Sequence, residues 1–129
     1  MPVAEASNAS PVRRAAEARG RAAEERVALR LEAEGWRILA RRWRSGAGEI
    51  DLIGECRGLL AFIEVKARPR LAEAAFALGA RQQARLLAAA EAWMAANPGH
   101  GSGGIRFDVV LVDGEGRMRR IKDALRAGG

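Results

Sequence analysis

The sequence predicts an α/β domain with two helices packed on a mixed central sheet, in the order α-β-β-β-α-β. Three observations carry this. Two stretches, about residues 20–34 and 80–96, place apolar residues at helical spacing. Three short apolar runs with glycine-bearing turns follow the first stretch, and a fourth run, IRFDVVLV at 105–112, follows the second.

In the first helix, from about Gly20 to Glu34, Ala23, Val27, Ala28 and Leu31 form the apolar stripe and Gly35 stops the helix. Residues 1–19 are expected to be a flexible or helical N-terminal extension broken near Pro11, with the domain itself covering 20–129. A first strand over about Arg37–Trp43 leads to a turn at 45–48. A second, about Glu49–Ile53, turns through Gly54–Gly58 into a third, about Leu59–Ala67, which Pro69 ends. The second helix, Ala80–Ala96, sets Leu86, Leu87, Ala90, Trp93 and Met94 on one side, and Asn97-Pro98-Gly99 ends it. After the fourth strand, Gly114–Gly116 turns into a last short strand or tail.

Composition bounds the function classes. The 129 residues suit one domain with a modest core. No apolar run reaches membrane-span length, and the polar start MPVAEASNAS has no secretory apolar region. A single cysteine, Cys56, excludes an internal disulfide and suits a cytoplasmic, reducing setting. Cys56 and His100 are solitary, so zinc-ligand spacing is missing and both read as incidental. The net charge of +6 and pI of about 11.1 point to an anionic partner, nucleic acid first of all, unless the excess is compositional.

The chemistry sits in the hairpin GEIDLIGECRGLLAFIEVKAR, residues 48–68, where Asp51, Glu64 and Lys66 interrupt apolar runs. Strand alternation puts Glu64 and Lys66 on one face, about 7 Å apart. Alternation also sets Ile50 with Leu52 on one face of the second strand and Asp51 on the other. A turn centred near Arg57-Gly58 sets Asp51 across from Glu64, on the same side of the sheet. Adjacent carboxylates destabilise a sheet unless a cation lies between them, and the cation suited to clustered carboxylate oxygens is a hard divalent ion such as Mg²⁺. The bland alternative is a wet strand face. Two further residues weigh against it. Glu24 lies within the stripe of Val27, Ala28 and Leu31, where an unpaired carboxylate is expensive. Gln83 interrupts the stripe of the second helix in the same way.

These residues resemble those of a known family. GEIDLI at 48–53 followed by FIEVKAR at 62–68 is similar to the YraN-type bacterial proteins, uncharacterised members of the PD-(D/E)XK nuclease superfamily related to archaeal Holliday-junction resolvases. The likeness runs from Gly20 to about Ala124 and takes in Glu24, WRIL at 36–39, Gln83 and RFDVVLVD at 106–113. It implies a restriction-endonuclease-like core. It also implies Asp51, Glu64 and the Val65 carbonyl as ligands of Mg²⁺ or Mn²⁺, and Lys66 as the residue acting on water and phosphate. Glu24 would position a metal-bound water, and Gln83 would order the site. The chain departs from the family pattern at Arg42, where asparagine is usual, and at Gln82, where lysine is usual.

Of the 22 cationic residues only Lys66 and Lys122 are lysine. Lysine at 66 fits a role that needs a compact ammonium whose pKa can move, which arginine cannot supply. Arg37, Arg41, Arg42 and Arg44 flank Trp36 and Trp43, offering phosphate contacts and stacking surfaces, although Trp36 fits core packing better. Arg81 and Arg85 flank Gln83 and are the remaining candidates for gripping a nucleic-acid backbone. Arg117, Arg119, Arg120 and Lys122 form a tail cluster that reads as a solvated face. Three functions stay open: a metal-dependent nuclease acting on DNA, branched or single-stranded; a non-catalytic nucleic-acid-binding module; and an interaction protein docking an acidic partner. Likeness to resolvases implies a homodimer by analogy alone.

Overall fold

The computed structural model describes residues 10–68 and 78–124. The expected extension over residues 1–9 and most of the connector before the second helix, 69–77, lie outside the described residues. The elements are α1 (Pro11–Ala33), β1 (Arg37–Ser45), β2 (Gly48–Cys56), β3 (Leu59–Ala67), α2 (Ala80–Ala96), β4 (Gly104–Val112) and β5 (Met118–Ile121). The expected α-β-β-β-α-β order is present, with β5 added at its end.

Helix α1 starts nine residues before the expected Gly20. Pro11 does not break it. Proline lacks only an N–H that the first helical turn leaves unpaired anyway, so Pro11 sits at the N-terminus of α1. Ser10 caps that end, its hydroxyl accepting from the Arg13 amide at 3.0 Å. At the other end Gly35 takes φ +98°. The Gly35 amide donates to the Glu32 carbonyl and the Trp36 amide to that of Leu31, closing a Schellman turn that aims the chain into β1.

The sheet runs β1-β2-β3-β4-β5, antiparallel except for the central β3/β4 pair. That parallel pair is joined through α2, a crossover that antiparallel neighbours do not need. Alternation along β3 divides the core. Leu60 and Phe62 enter a cluster with Leu86, Ala89, Ala90 and Trp93 of α2. Ala61, Ile63 and Val65 enter a second cluster with Ala23, Val27, Ala28 and Leu31 of α1. The central strands are therefore covered on both faces. Trp36 packs against the α1-side cluster and Trp43 against the α2-side cluster, so the tryptophans serve the core.

Two pattern readings need correction. Leu87 is 42% exposed, and the buried stripe of α2 is Leu86, Ala89, Ala90 and Trp93. Ile50 does not share a face with Leu52. It joins Ile53 on the α2 side while Leu52 packs on the α1 side. Residues 50 and 53 would face oppositely in a regular strand, so β2 twists out of alternation between them. The register of β1 puts Arg42 across from this irregularity, and Arg42 has φ +49°, a left-handed conformation uncommon for arginine.

Candidate functional site

The irregularity in β2 makes the site. The β2–β3 ladder runs from Cys56↔Leu59 to Leu52↔Ile63 and stops there. One step beyond, where Asp51 and Glu64 would pair next, the Val65 amide donates to the Asp51 carboxylate at 2.8 Å. A side chain thus takes the place of a ladder acceptor. This turns Asp51 into the fork between the strands.

Five side chains from four elements meet at that fork. The Glu64 carboxylate sits beside the Asp51 carboxyl and favours its protonated form. Oε2 of Glu64 lies 3.1 Å from the Lys66 ammonium and accepts from the Gln82 amide at 2.6 Å. Glu24 of α1 hydrogen-bonds the Asp51 carboxyl and feels the charges of Glu49 and Glu64. Its other contact is the Arg42 guanidinium, Nε to Oε1 3.1 Å. Glu24 and Glu64 are 14% and 13% exposed, so these acids are largely withdrawn from water.

Electrostatics follow from this crowding. Burial above all pushes the Asp51 carboxyl up to about 8, helped by the hydrogen bond and charge of Glu64 and resisted by the Val65 amide. Burial likewise raises Glu24 above the ordinary carboxylate range, although Arg42 opposes it. Two carboxyl groups this close must share a proton or a cation.

The fork opens into a cleft of about 200 Å³ lined by Glu49, Asp51, Glu64, Gln82, Arg85 and Leu86. Among the described residues no three His, Cys, Asp or Glu side chains are placed to hold a metal together. Asp51 and Glu64 are therefore the side-chain donors available, with Glu24 one contact away. Two carboxylates with the rest of the shell left to backbone or water suit Mg²⁺, which keeps several waters and needs no all-protein cage. The donor set fits a hard divalent ion.

The two glutamines divide differently from the sequence reading. Gln83 donates to the Leu78 carbonyl at 2.7 Å, just before α2, while Gln82 reaches Glu64. The corrected stripe explains this. Gln82 is four residues before Leu86 and seven before Ala89, centred on the buried face, whereas Leu87 made Gln83 look central. That spacing was the available signal for Gln82.

The arginines are less free than their number suggests. On β1, Arg41 pairs with Glu25, Arg42 with Glu24, and Arg44 with Glu49 at 3.0 Å. Arg37 lies at the opposite end of the β1–β2 hairpin, across from Glu55, and is not brought to the cleft. Arg85 lines the cleft; Arg81 is exposed on the first turn of α2 outside its lining. Trp36 has Arg106 and Arg120 over its ring at 5.9 and 5.8 Å, so its ring is already met by the fold's own cations. No helix among the described residues is long and apolar enough to cross a membrane.

Comparison with known proteins adds a family without an activity. A family profile described as "Uncharacterised protein family UPF0102" matches residues 23–112, a span containing Glu24, Asp51, Glu64, Lys66 and both glutamines. A UPF0102 protein of Granulibacter bethesdensis is 56% identical over 107 residues, covering 83% of this chain and 68% of that one. One from Rhodopseudomonas palustris strain HaA2 is 54% identical, covering 80% of each. One from Bradyrhizobium sp. strain ORS 278 is 49% identical over 122 residues, covering 95% of this chain and 86% of its own.

Proposed function

We propose that this chain, which belongs to the uncharacterised protein family UPF0102, is a metal-dependent nuclease hydrolysing phosphodiester bonds of nucleic acid, DNA in the first instance. The observation that carries the reading is the closeness of Asp51 and Glu64, with Lys66 on the Glu64 carboxylate, at the point where the ladder ends. A structural acid would be paired once with a cation. Here two acids are paired with each other, beside an ammonium, in an open cleft. The likeness of this arrangement to PD-(D/E)XK nucleases supports the same assignment.

In this reading Asp51, Glu64 and the Val65 carbonyl hold Mg²⁺ or Mn²⁺. Such an ion supplies Lewis acidity toward a phosphoryl oxygen and makes water more acidic. Lys66 hydrogen-bonds a phosphate oxygen and steers the attacking water. Glu24 accepts a hydrogen bond from that water and takes its proton as the new P–O bond forms. The leaving sugar oxygen departs with the electron pair of the broken P–O bond and is protonated from solvent. Gln82 fixes the Glu64 rotamer, and Gln83 acts one step back, anchoring the start of α2 through Leu78. Arg85, beside the cleft, faces the phosphate backbone. The single cysteine suits a cytoplasmic location.

A second reading, a nucleic-acid-binding module without catalysis, draws on Arg42, whose contact with Glu24 occupies the acid that would serve the water. Calorimetric titration with Mg²⁺ or Mn²⁺ separates the two. Heat of binding in the wild type that is lost in Asp51→Asn supports the nuclease, as does Mg²⁺-dependent cleavage of plasmid or junction DNA that disappears in Asp51→Asn and Lys66→Ala. Absence of metal binding at millimolar concentration leaves only the binding module or a protein-docking role. Cleavage persisting in both variants assigns the activity elsewhere.

A further inference from the structure

A second cleft lies on the α1 side of the sheet, the face opposite the α2-lined cleft into which the carboxylate fork opens. It measures about 510 Å³ and is bounded by α1, the C-terminal ends of β3 and β4, and the turn after β4. Its lining divides by chemistry. Ala22, Ala23, Ala67, Val112, Gly114 and Gly116 form a floor of small groups, and Arg19, Arg26 and Arg68 stand around it. The volume lies in the range of about 300–1,000 Å³ typical of small-molecule sites, which also combine a mainly apolar lining with a few placed polar groups.

The arrangement is positively charged despite the presence of Asp113. That carboxylate accepts from the amides of Glu115 and Arg117 at 2.9 and 2.8 Å and from Arg117 Nε at 2.8 Å. Its charge is spent on its own turn. Arg19 and Arg26 form no ion pair among the described residues. The Arg26 guanidinium lies against Gly116, where a Cβ would overlap Nη1 and stand 3.1 Å from Cζ. Gly116 also holds φ +84°, so glycine there meets both the turn's conformation and the approach of Arg26.

The two clefts lie on opposite faces of the sheet but near one strand end: on β3, Lys66 turns toward Glu64 on the α2 side while Ala67, the next residue, lines the second cleft on the α1 side. On α1, Glu24 reaches Asp51 while Ala22 and Ala23 line the second cleft. The second cleft also lies outside the carboxyl ends of the parallel pair β3/β4, the usual place for ligands in sheets containing parallel strands.

We propose that this second cleft is a nucleotide subsite that takes one unpaired nucleotide of the substrate strand where it passes over the strand end from the carboxylate fork, its phosphate on Arg19 and Arg26 and its base over the alanine-glycine floor. Guanidinium groups suit both parts, offering a donor fork to phosphate and a flat cation to a base. A base inside a continuous duplex cannot enter a pocket without being extruded, so the preferred substrate carries unstacked nucleotides: single strands, flaps or junctions. The identity of the ligand rests on the nuclease reading of the fork; the presence of the subsite does not.

Amide shifts in NMR during titration with thymidine monophosphate, and separately with inorganic phosphate, test the subsite and distinguish a nucleotide from a bare anion. Thymidine monophosphate is expected to shift residues 22–26 and 114–116 and to bind about tenfold or more tightly than phosphate, the size of one base contact. Arg19→Ala/Arg26→Ala and the cleft-filling Ala22→Trp, at an exposed helical position, are each expected to lose that binding. Each is also expected to lower single-strand DNA affinity about tenfold or more while leaving the Mg²⁺-induced thermal shift of the fork in place. Equal binding of phosphate and nucleotide, shifts confined to the fork, or wild-type binding by Ala22→Trp would overturn the proposal. Nucleotide binding in the cleft of a protein that takes up no Mg²⁺ would retire the nuclease reading and keep the subsite. Mg²⁺-dependent cleavage without cleft binding would do the reverse.

Discussion

Acids largely withdrawn from water occur at several places in this structure, and the fold treats them in opposite ways. On β4, Asp108 is 1% exposed, yet both its oxygens are met by Arg106 at 2.9 Å, and the Asp123 amide adds a third bond at 3.0 Å. At the β2–β3 fork, Asp51 and Glu64 meet each other, with a lysine and a glutamine amide on one side only. Asp113 and Asp51 differ in the same sense. Burial works against both, but at Asp113 the Arg117 side chain and two amides outweigh it and lower the pKa, whereas at Asp51 burial wins and Glu64 adds to it. An acid satisfied by a bidentate arginine closes a structure. Acids left facing each other are poised for a cation from outside.

The largest effect that would break this contrast is at Asp108. Asp108→Ala leaves Arg106 without its partner in a mostly buried place, and loss of one member of such a pair destabilises by about 3–5 kcal/mol. Arg106 is 21% exposed, which puts the expectation near the lower end. Urea unfolding measures it. A loss below about 1 kcal/mol would mean the pair is decorative and the contrast false.

Asp51→Asn should move the other way. The amide oxygen keeps the Val65 hydrogen bond, and the raised carboxyl is gone. The sign follows from the pKa: a folded value of about 8 against an ordinary 3.8 means the wild type loses stability as pH rises between these values. Without metal, the wild type should therefore be less stable at pH 8 than at pH 6, and Asp51→Asn should flatten that slope. Mg²⁺ at ten times its dissociation constant adds about 1.4 kcal/mol, a rise of about 3–8 °C in Tm for a domain of this size. The rise should be larger at pH 8 than at pH 6, because protons compete for Asp51, and absent in Asp51→Asn. A wild-type Tm indifferent to pH and Mg²⁺ would make the fork as closed as Asp108.

How far this contrast could be read in the sequence depends on periodicity. The strands of the hairpin, the helix α2 and the proximity of Asp51 to Glu64 follow from alternation and turn glycines, which local sterics impose. Glu24 was legible because a carboxylate stood on an otherwise apolar stripe. Features without a local signature were not. The start of α1 was misplaced because Pro11 is a breaker inside a helix but a good first residue, and only the Ser10 cap distinguishes the two. The twist that separates Ile50 from Leu52 accompanies the left-handed backbone at Arg42 across the ladder, a tertiary adjustment that leaves the hydrophobic pattern unchanged. Arginines read as substrate contacts turned out to be paired with Glu24, Glu25 and Glu49, since ion pairs between elements have no spacing in the chain.

Gln82 sharpens the contrast by the smallest amount. Its amide donates to Glu64, supporting the side of the pair that Lys66 already touches. Gln82→Ala should lower stability by only about 1 kcal/mol, the value of one partly buried hydrogen bond, because Glu64 keeps Lys66 and the cleft admits water. Metal affinity should respond more than stability does, since a group that orients a ligand tunes the ion it holds, typically by about 10–100-fold. Gln83→Ala provides the comparison. It removes the bond to Leu78 at similar cost in stability while leaving Glu64 untouched, so Mg²⁺ affinity should stay near wild type. Calorimetry on the two variants separates a residue that orients a ligand from one that anchors a helix. Equal loss of Mg²⁺ affinity in both would place the control of the fork in the first turn of α2 as a whole, and not in the single amide that reaches Glu64.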